Sequence, residues 1–165
     1  TRLSRLGGEV TAVVVAKAAV DRLGWEPPAG VRLEALAVGF MVPQVAQGAL
    51  AVECRADDPS VIEVLEAIDD PATRIPVMAE RAFLAELGGG CTLPVGAHAR
   101  WSDGGSSGSA ASPAQLCLRG MVAAYDGRVV LRHDVSGADP LAVGREAARY
   151  LMEEAGGREL VGVSE

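Results

Sequence analysis

The sequence predicts an α/β chain, with a partial α/β segment over residues 1–57, a linker helix over 58–71, and a three-stranded antiparallel sheet covered by helices over 72–165 (an α+β unit). Three observations predict it. Val10-Thr11-Ala12-Val13-Val14-Val15 is a continuous apolar, β-branched run, the pattern of a strand buried on both faces of a parallel sheet. Asp58-Pro59, Asp70-Pro71 and Asp139-Pro140 each set an N-cap acceptor before a proline at the first helical position. After Cys91 the pattern changes to short strand runs closed by one helical run, which gives a sheet with helices on one face.

Taken in order, the Val10–Val15 strand is followed by a helical turn over Ala18–Leu23 that stops at Gly24. Paired prolines make Trp25–Gly30 a loop. Val31–Pro43 is apolar but fits neither period, and Gly48–Cys54 reads as a second strand. Val61, Ile62, Leu65 and Ile68 form one apolar helix face after Asp58-Pro59. The helix after Asp70-Pro71 contains Pro76, which removes an amide donor and predicts a kink or a late start. Val95–Trp101, Gln115–Ala124 and Arg128–Val135 read as three strands, with Asp126-Gly127 as a hairpin turn. Asp103–Pro113, rich in glycine and serine, reads as a flexible surface insertion. The closing helix, Pro140–Ala155, is expected to bury Leu141, Ala148, Leu151 and Met152 and to stop at Gly156-Gly157.

Composition narrows the function classes. The chain has 165 residues, 49% of them hydrophobic, enough for a core in one domain or two small ones. No apolar run reaches the ~18 residues that cross a bilayer, and Thr1-Arg2-Leu3-Ser4-Arg5 opens no signal peptide. The absence of an initiator Met suggests a piece of a longer protein. Three cysteines, Cys54, Cys91 and Cys117, lack metal-type spacing and suit a reducing, cytoplasmic setting. With only His98 and His133 beside them, a metal site is not expected. A net charge of −7 argues against nucleic acid and against an anionic membrane as partners. Residues 1–32 run the other way, with Arg2, Arg5, Lys17, Arg22 and Arg32 against Glu9, Asp21 and Glu26. Such a basic region suits a small polyanionic ligand, and it suits a mildly basic surface strip as well.

The stretch Ala79-Glu80-Arg81-Ala82-Phe83-Leu84-Ala85-Glu86-Leu87-Gly88-Gly89-Gly90-Cys91 is the most informative in the chain. A helix-forming run ends in three glycines, which cap it and leave the following thiol on an accessible loop. The competing reading folds Cys91 under the helix end as a small apolar side chain. By strand alternation Cys54 and Cys117 read as core packing, and Glu80 and Arg81 as helix-surface or interdomain ion pairs.

Three blocks then carry a resemblance: Thr1-Arg2-Leu3 through Ala18-Ala19-Val20-Asp21-Arg22-Leu23-Gly24, the run Val42-Pro43-Gln44-Val45-Ala46-Gln47-Gly48 through Arg55, and Ala79 to Gly96. In that order they resemble the C-terminal half of the porphobilinogen deaminase (hydroxymethylbilane synthase) family. The resemblance implies that residues 1–57 are part of a periplasmic-binding-protein-like α/β fold, and that the remainder carries the cofactor. It implies a dipyrromethane cofactor bound through a thioether to Cys91, with Arg2 and Arg22 as clamps for pyrrole carboxylates and Gln47 on a loop lining the cleft. The guanidinium fork matches a carboxylate in two hydrogen bonds. The implied transferase condenses four porphobilinogen molecules into hydroxymethylbilane, so its partners are porphobilinogen, the growing pyrrole chain and the N-terminal half. The acidic catalytic residue is expected in that half, since Asp57 and Asp58 read as turn and helix cap; the chain is expected to be inactive alone. Ala19 and Ala46 stand where the family has glycine, Gly88 replaces a commonly acidic residue, and Pro76 is atypical. A non-catalytic binding module that kept the fold is the alternative; a cysteine redox or acyl-transfer enzyme lacks a partner histidine.

Overall fold

The computed structural model describes residues 3–8, 10–88, 93–102 and 115–162. It divides into two compact units, Thr1–Ala37 and Val38–Glu165.

In the first unit a 3-10 turn, Leu3–Arg5, precedes α1, Lys17–Leu23. Gly24 ends α1 in the left-handed region at φ 55°, its N–H donating to the Asp21 and Val20 carbonyls, as the sequence predicts. The strand expected at Val10–Val15 does not form. Val10 makes a single bridge to Leu6, and Val14 is 65% exposed. A parallel strand takes its hydrogen-bond partners from distant sequence, and the described residues supply none.

In the second unit the strand expected at Gly48–Cys54 is likewise unpaired. Leu50 is 82% exposed, and Cys54 lies at the surface rather than in a core. All three Asp-Pro caps form. The carboxylate of Asp58 accepts from the Val61 amide above α2 (Pro59–Glu66), that of Asp70 from Ala72 above α3 (Pro71–Glu86), and that of Asp139 from Leu141 and Ala142 above α4 (Pro140–Arg149). The apolar face of α2 stays uncovered: Val61 and Ile68 are exposed, Ile62 and Leu65 half-buried.

Pro76 neither breaks α3 nor delays it; the helix is continuous from Pro71 to Glu86 with Pro76 buried inside. Proline leaves the carbonyl four residues before it without an amide donor. That carbonyl is Ala72 O, and the indole N–H of Trp101 donates to it at 3.3 Å. A side chain from the sheet thus replaces the hydrogen bond that the helix lost.

The strands β1 (Val95–Trp101), β2 (Leu116–Ala123) and β3 (Val130–Gly137) form an antiparallel sheet in the order β1-β2-β3. Gly127, at φ 71°, turns the β2–β3 connection, with its N–H donating to Ala124 O. One sheet face, Val95, Ala97 and Ala99 beside Leu118, Val122 and Val135, packs under α3 and α4 around Phe83 and Leu151. Gly120 makes room there, since a Cβ would stand 2.7 Å from the Phe83 ring. On the opposite face Arg119 and Asp134 pair directly across β2 and β3, Nε to Oδ1 at 2.7 Å and Nη2 to Oδ2 at 2.6 Å. Cys117 shares that face, half-buried, and accepts from the Ser136 hydroxyl at 3.2 Å, so it is not a core residue. The α4 rod continues as a π-helical turn, Tyr150–Glu154, and a short α5, Gly157–Val161. Ala148, Leu151 and Met152 are buried as expected, whereas Leu141, in the first turn of α4, is exposed. The insertion at Asp103–Pro113 lies outside the described residues.

Candidate functional site

Of the four residues singled out by sequence, Cys91 and Arg2 lie outside the described residues, and Arg22 and Gln47 are within them. The flanks of the Cys91 stretch are fixed. On one side Leu87 is buried and Gly88 leaves α3 at φ 66°, a left-handed conformation that glycine adopts without strain. On the other, Leu93 packs against the core just before β1. Gly88 is therefore the helix stop, and an acidic side chain there would meet the αL penalty.

Gln47 belongs to a tight loop that docks on the outer edge of β1. The Ala97 amide donates to Pro43 O at 3.1 Å, and the loop sits close because β1 has glycine at 96, where a Cβ would lie 2.7 Å from the same carbonyl. Val42 is buried beneath the loop and Val45 packs on the core. Two successive turns, Gln47 N–H to Gln44 O and Ala49 N–H to Ala46 O, leave the Gln47 side chain exposed. Ala46 is the one non-glycine residue at positive φ, 58°, among the described residues. Ala19, by contrast, sits on the exposed side of α1, where its methyl group crowds nothing.

Glu80 is where the sequence reading needs correction. Among the described residues it is neither at the surface nor in an ion pair: it is 6% exposed, the one buried charged side chain there. The Ala46 amide donates to Oε2 at 2.7 Å and the Ala99 amide to Oε1 at 2.8 Å. A carboxylate whose oxygens each accept a backbone N–H exchanges hydration for fixed dipoles, which makes burial tolerable. The signal was in the sequence: Pro76, Phe83 and Leu87 share the α3 face with Glu80, so a glutamate stood in an apolar stripe. Arg81, one residue on, is exposed as expected.

Arg22 occupies the last turn of α1 in the other unit, exposed and without an ion pair among the described residues, while Lys17 and Asp21 pair with each other at 2.5 Å. Gln47 and the flanks of Cys91 thus share the unit Val38–Glu165, and Arg22 belongs to the unit Thr1–Ala37. An open guanidinium and an exposed amide are groups that can receive the carboxylates of a small acidic ligand.

Two family models match the chain in sequence order. Residues 1–63 match "Porphobilinogen deaminase, dipyromethane cofactor binding domain", and residues 75–153 match "Porphobilinogen deaminase, C-terminal domain". The chain belongs to the porphobilinogen deaminase family. Among curated family members, porphobilinogen deaminase of Nocardia farcinica is 48% identical over 164 residues, covering 98% of this chain and 46% of the relative. The Brevibacillus brevis enzyme is 37% identical over 164 residues, with 99% and 49% covered, and that of Roseiflexus sp. is 41% identical over 163, with 98% and 49%. The chain therefore spans about half the length of the curated relatives it matches. Arg2, Arg22 and Gln47 fall in the stretch matched by the first family model, and Cys91 in the second. Among the described residues no helix is long and apolar enough to cross a membrane.

Proposed function

We propose that this chain is the C-terminal part of a hydroxymethylbilane synthase, acting with an N-terminal half to condense four porphobilinogen molecules, with loss of one ammonia each, and to release hydroxymethylbilane by hydrolysis. The observation that carries the reading is the ordered match to both family domains, with Cys91 standing four residues before β1. Cys91 would hold dipyrromethane through a carbon–sulfur bond. When bound, that group supplies the pyrrole terminus on which the chain is built.

The other residues bind and orient. Arg2 and Arg22 would pair with pyrrole acetate and propionate groups, each in the two-bond geometry of a guanidinium fork. Gln47, carried on a loop whose backbone is tied to β1, would hydrogen-bond to the cofactor. No carboxylate of this chain is assigned the proton transfers: Asp58 is occupied in capping α2, and Glu80 in binding two amides. That task falls to the N-terminal half.

The test is the mass of the Cys91 peptide after production together with the N-terminal half in cells that make porphobilinogen. A covalent dipyrromethane adduct is expected. A free thiol in such a complex would overturn the enzyme reading in favour of a binding module that kept the fold.

A further inference from the structure

Glu80 is a buried charge that the proposed chemistry leaves unused, and its two hydrogen bonds reach segments far apart in sequence. Ala46 lies within the stretch matched by one family domain, and Ala99, with Glu80 itself, within the other. Ala46 is the residue immediately before Gln47. Ala99 lies on β1, the strand that leads out of the Cys91 stretch, and Glu80 is on α3, the helix that leads into it.

We propose that Glu80 is a positioning residue that holds the Gln47 loop against α3 and β1, the two elements that flank the Cys91 stretch in sequence; the proposal rests on the cofactor-scaffold reading above. A carboxyl group suits the role, because both amides donate and each oxygen accepts one of them. Glutamine retains one acceptor and turns an NH2 donor toward the other amide, so one bond is replaced by a donor–donor contact. Beyond the two internal turn bonds, the Glu80 carboxylate is what ties the Ala46 amide to another element among the described residues, and the Ala46 φ of 58° is one an alanine does not choose unaided. Once the Glu80 bond is lost, the loop keeps only its internal turns and its tie through Pro43 O, so it can leave that conformation and carry Gln47 with it.

The experiment uses the full-length protein with its N-terminal half. In wild type, hydrogen exchange should find the Ala46 and Ala99 amides both protected and opening together. A wild-type Ala46 amide that exchanges like an unbonded loop amide overturns the proposal, whether or not any variant folds. In Glu80→Gln, exchange across residues 44–48 should accelerate at least about tenfold while β2 keeps its protection, given the strength of hydrogen bonds to charged groups. Unchanged exchange there overturns it.

Kinetics supply the readout that a general stability role would not move. Glu80→Gln and Gln47→Ala should each raise KM for porphobilinogen on the order of tenfold, and the double variant should be no worse than the weaker single variant. Multiplying effects would instead mean that Glu80 acts independently of Gln47. A free Cys91 thiol in wild type would remove the functional reading and the kinetic half of the proposal with it, while the exchange comparison would still decide the clamp.

Discussion

Ala46 is a residue whose backbone conformation and side chain disagree. At φ 58° the Cβ of an L-residue crowds its own carbonyl, a conformation that costs about 1–2 kcal/mol for residues other than glycine. Glycine removes that cost and adds an entropic one, so Ala46→Gly should stabilise the chain by about 0.5–1 kcal/mol, measurable as a shifted urea midpoint at constant slope. The resemblance flags this position because the family has glycine there, the residue that suits positive φ or a close backbone approach. The structure shows the first of these, a strained backbone, and supplies the Glu80 carboxylate that holds it. Glu80 itself was misread because its neighbour Arg81 is exposed and charged, which makes an ion-pair face plausible until the turn is counted through Pro76, Phe83 and Leu87.

At the scale of elements, the parts that fold on local instructions were legible. The Asp-Pro caps, the Gly24 and Gly88 stops, the Asp126-Gly127 hairpin and all three strands after Cys91 follow from rules that act within a few residues. Pro76 shows why a local rule can still mislead: proline breaks a helix when nothing replaces the lost bond, and Trp101 replaces it from 29 residues away. The contact between α3 and α4 also has no local signature. Gly144 lets the two helices meet, and a Cβ there would lie 2.8 Å from both Ala82 Cβ and Phe83 N and closer still to Ala79 O. Gly144→Ala should therefore destabilise the chain by about 1–3 kcal/mol even though alanine is the better helix former. A melting curve beside that of Ala142→Gly, an exposed α4 position, would separate the packing effect from helix propensity.

For the whole molecule, acid should be the more informative perturbation. The Arg119 hydrogen bonds, ahead of the opposing effect of desolvation, hold the Asp134 carboxyl below the ordinary carboxylate range. Asp58 shifts the same way chiefly through Ser60, and Asp70 chiefly through Thr73. For each, the folded chain binds the proton less readily than the unfolded one, so the stabilisation is complete above about pH 4 and fades as pH falls through the depressed folded value. Wild type should thus melt above Asp134→Asn at about pH 6, and the gap should narrow as pH falls below about 4, with thermal melts across that range as the check. What was not legible at this scale is the state of residues 10–15 and 48–54. Their strand patterns are intact, yet Val14 and Leu50 face solvent, because a parallel strand is completed by partners that sequence brings from elsewhere.

The Glu80 clamp also changes where this molecule can be cut and grafted. The two family matches leave a gap between residues 63 and 75, which invites a break in the α2–α3 connection. A piece severed there keeps the carboxylate and discards one of its two donors, together with the Pro43 carbonyl that covers the β1 edge. A chimera that takes the residues after this gap from one family member and those before it from another keeps the Glu80 contacts only when Val42–Gly48 travels with α3, in spite of the chain's own order.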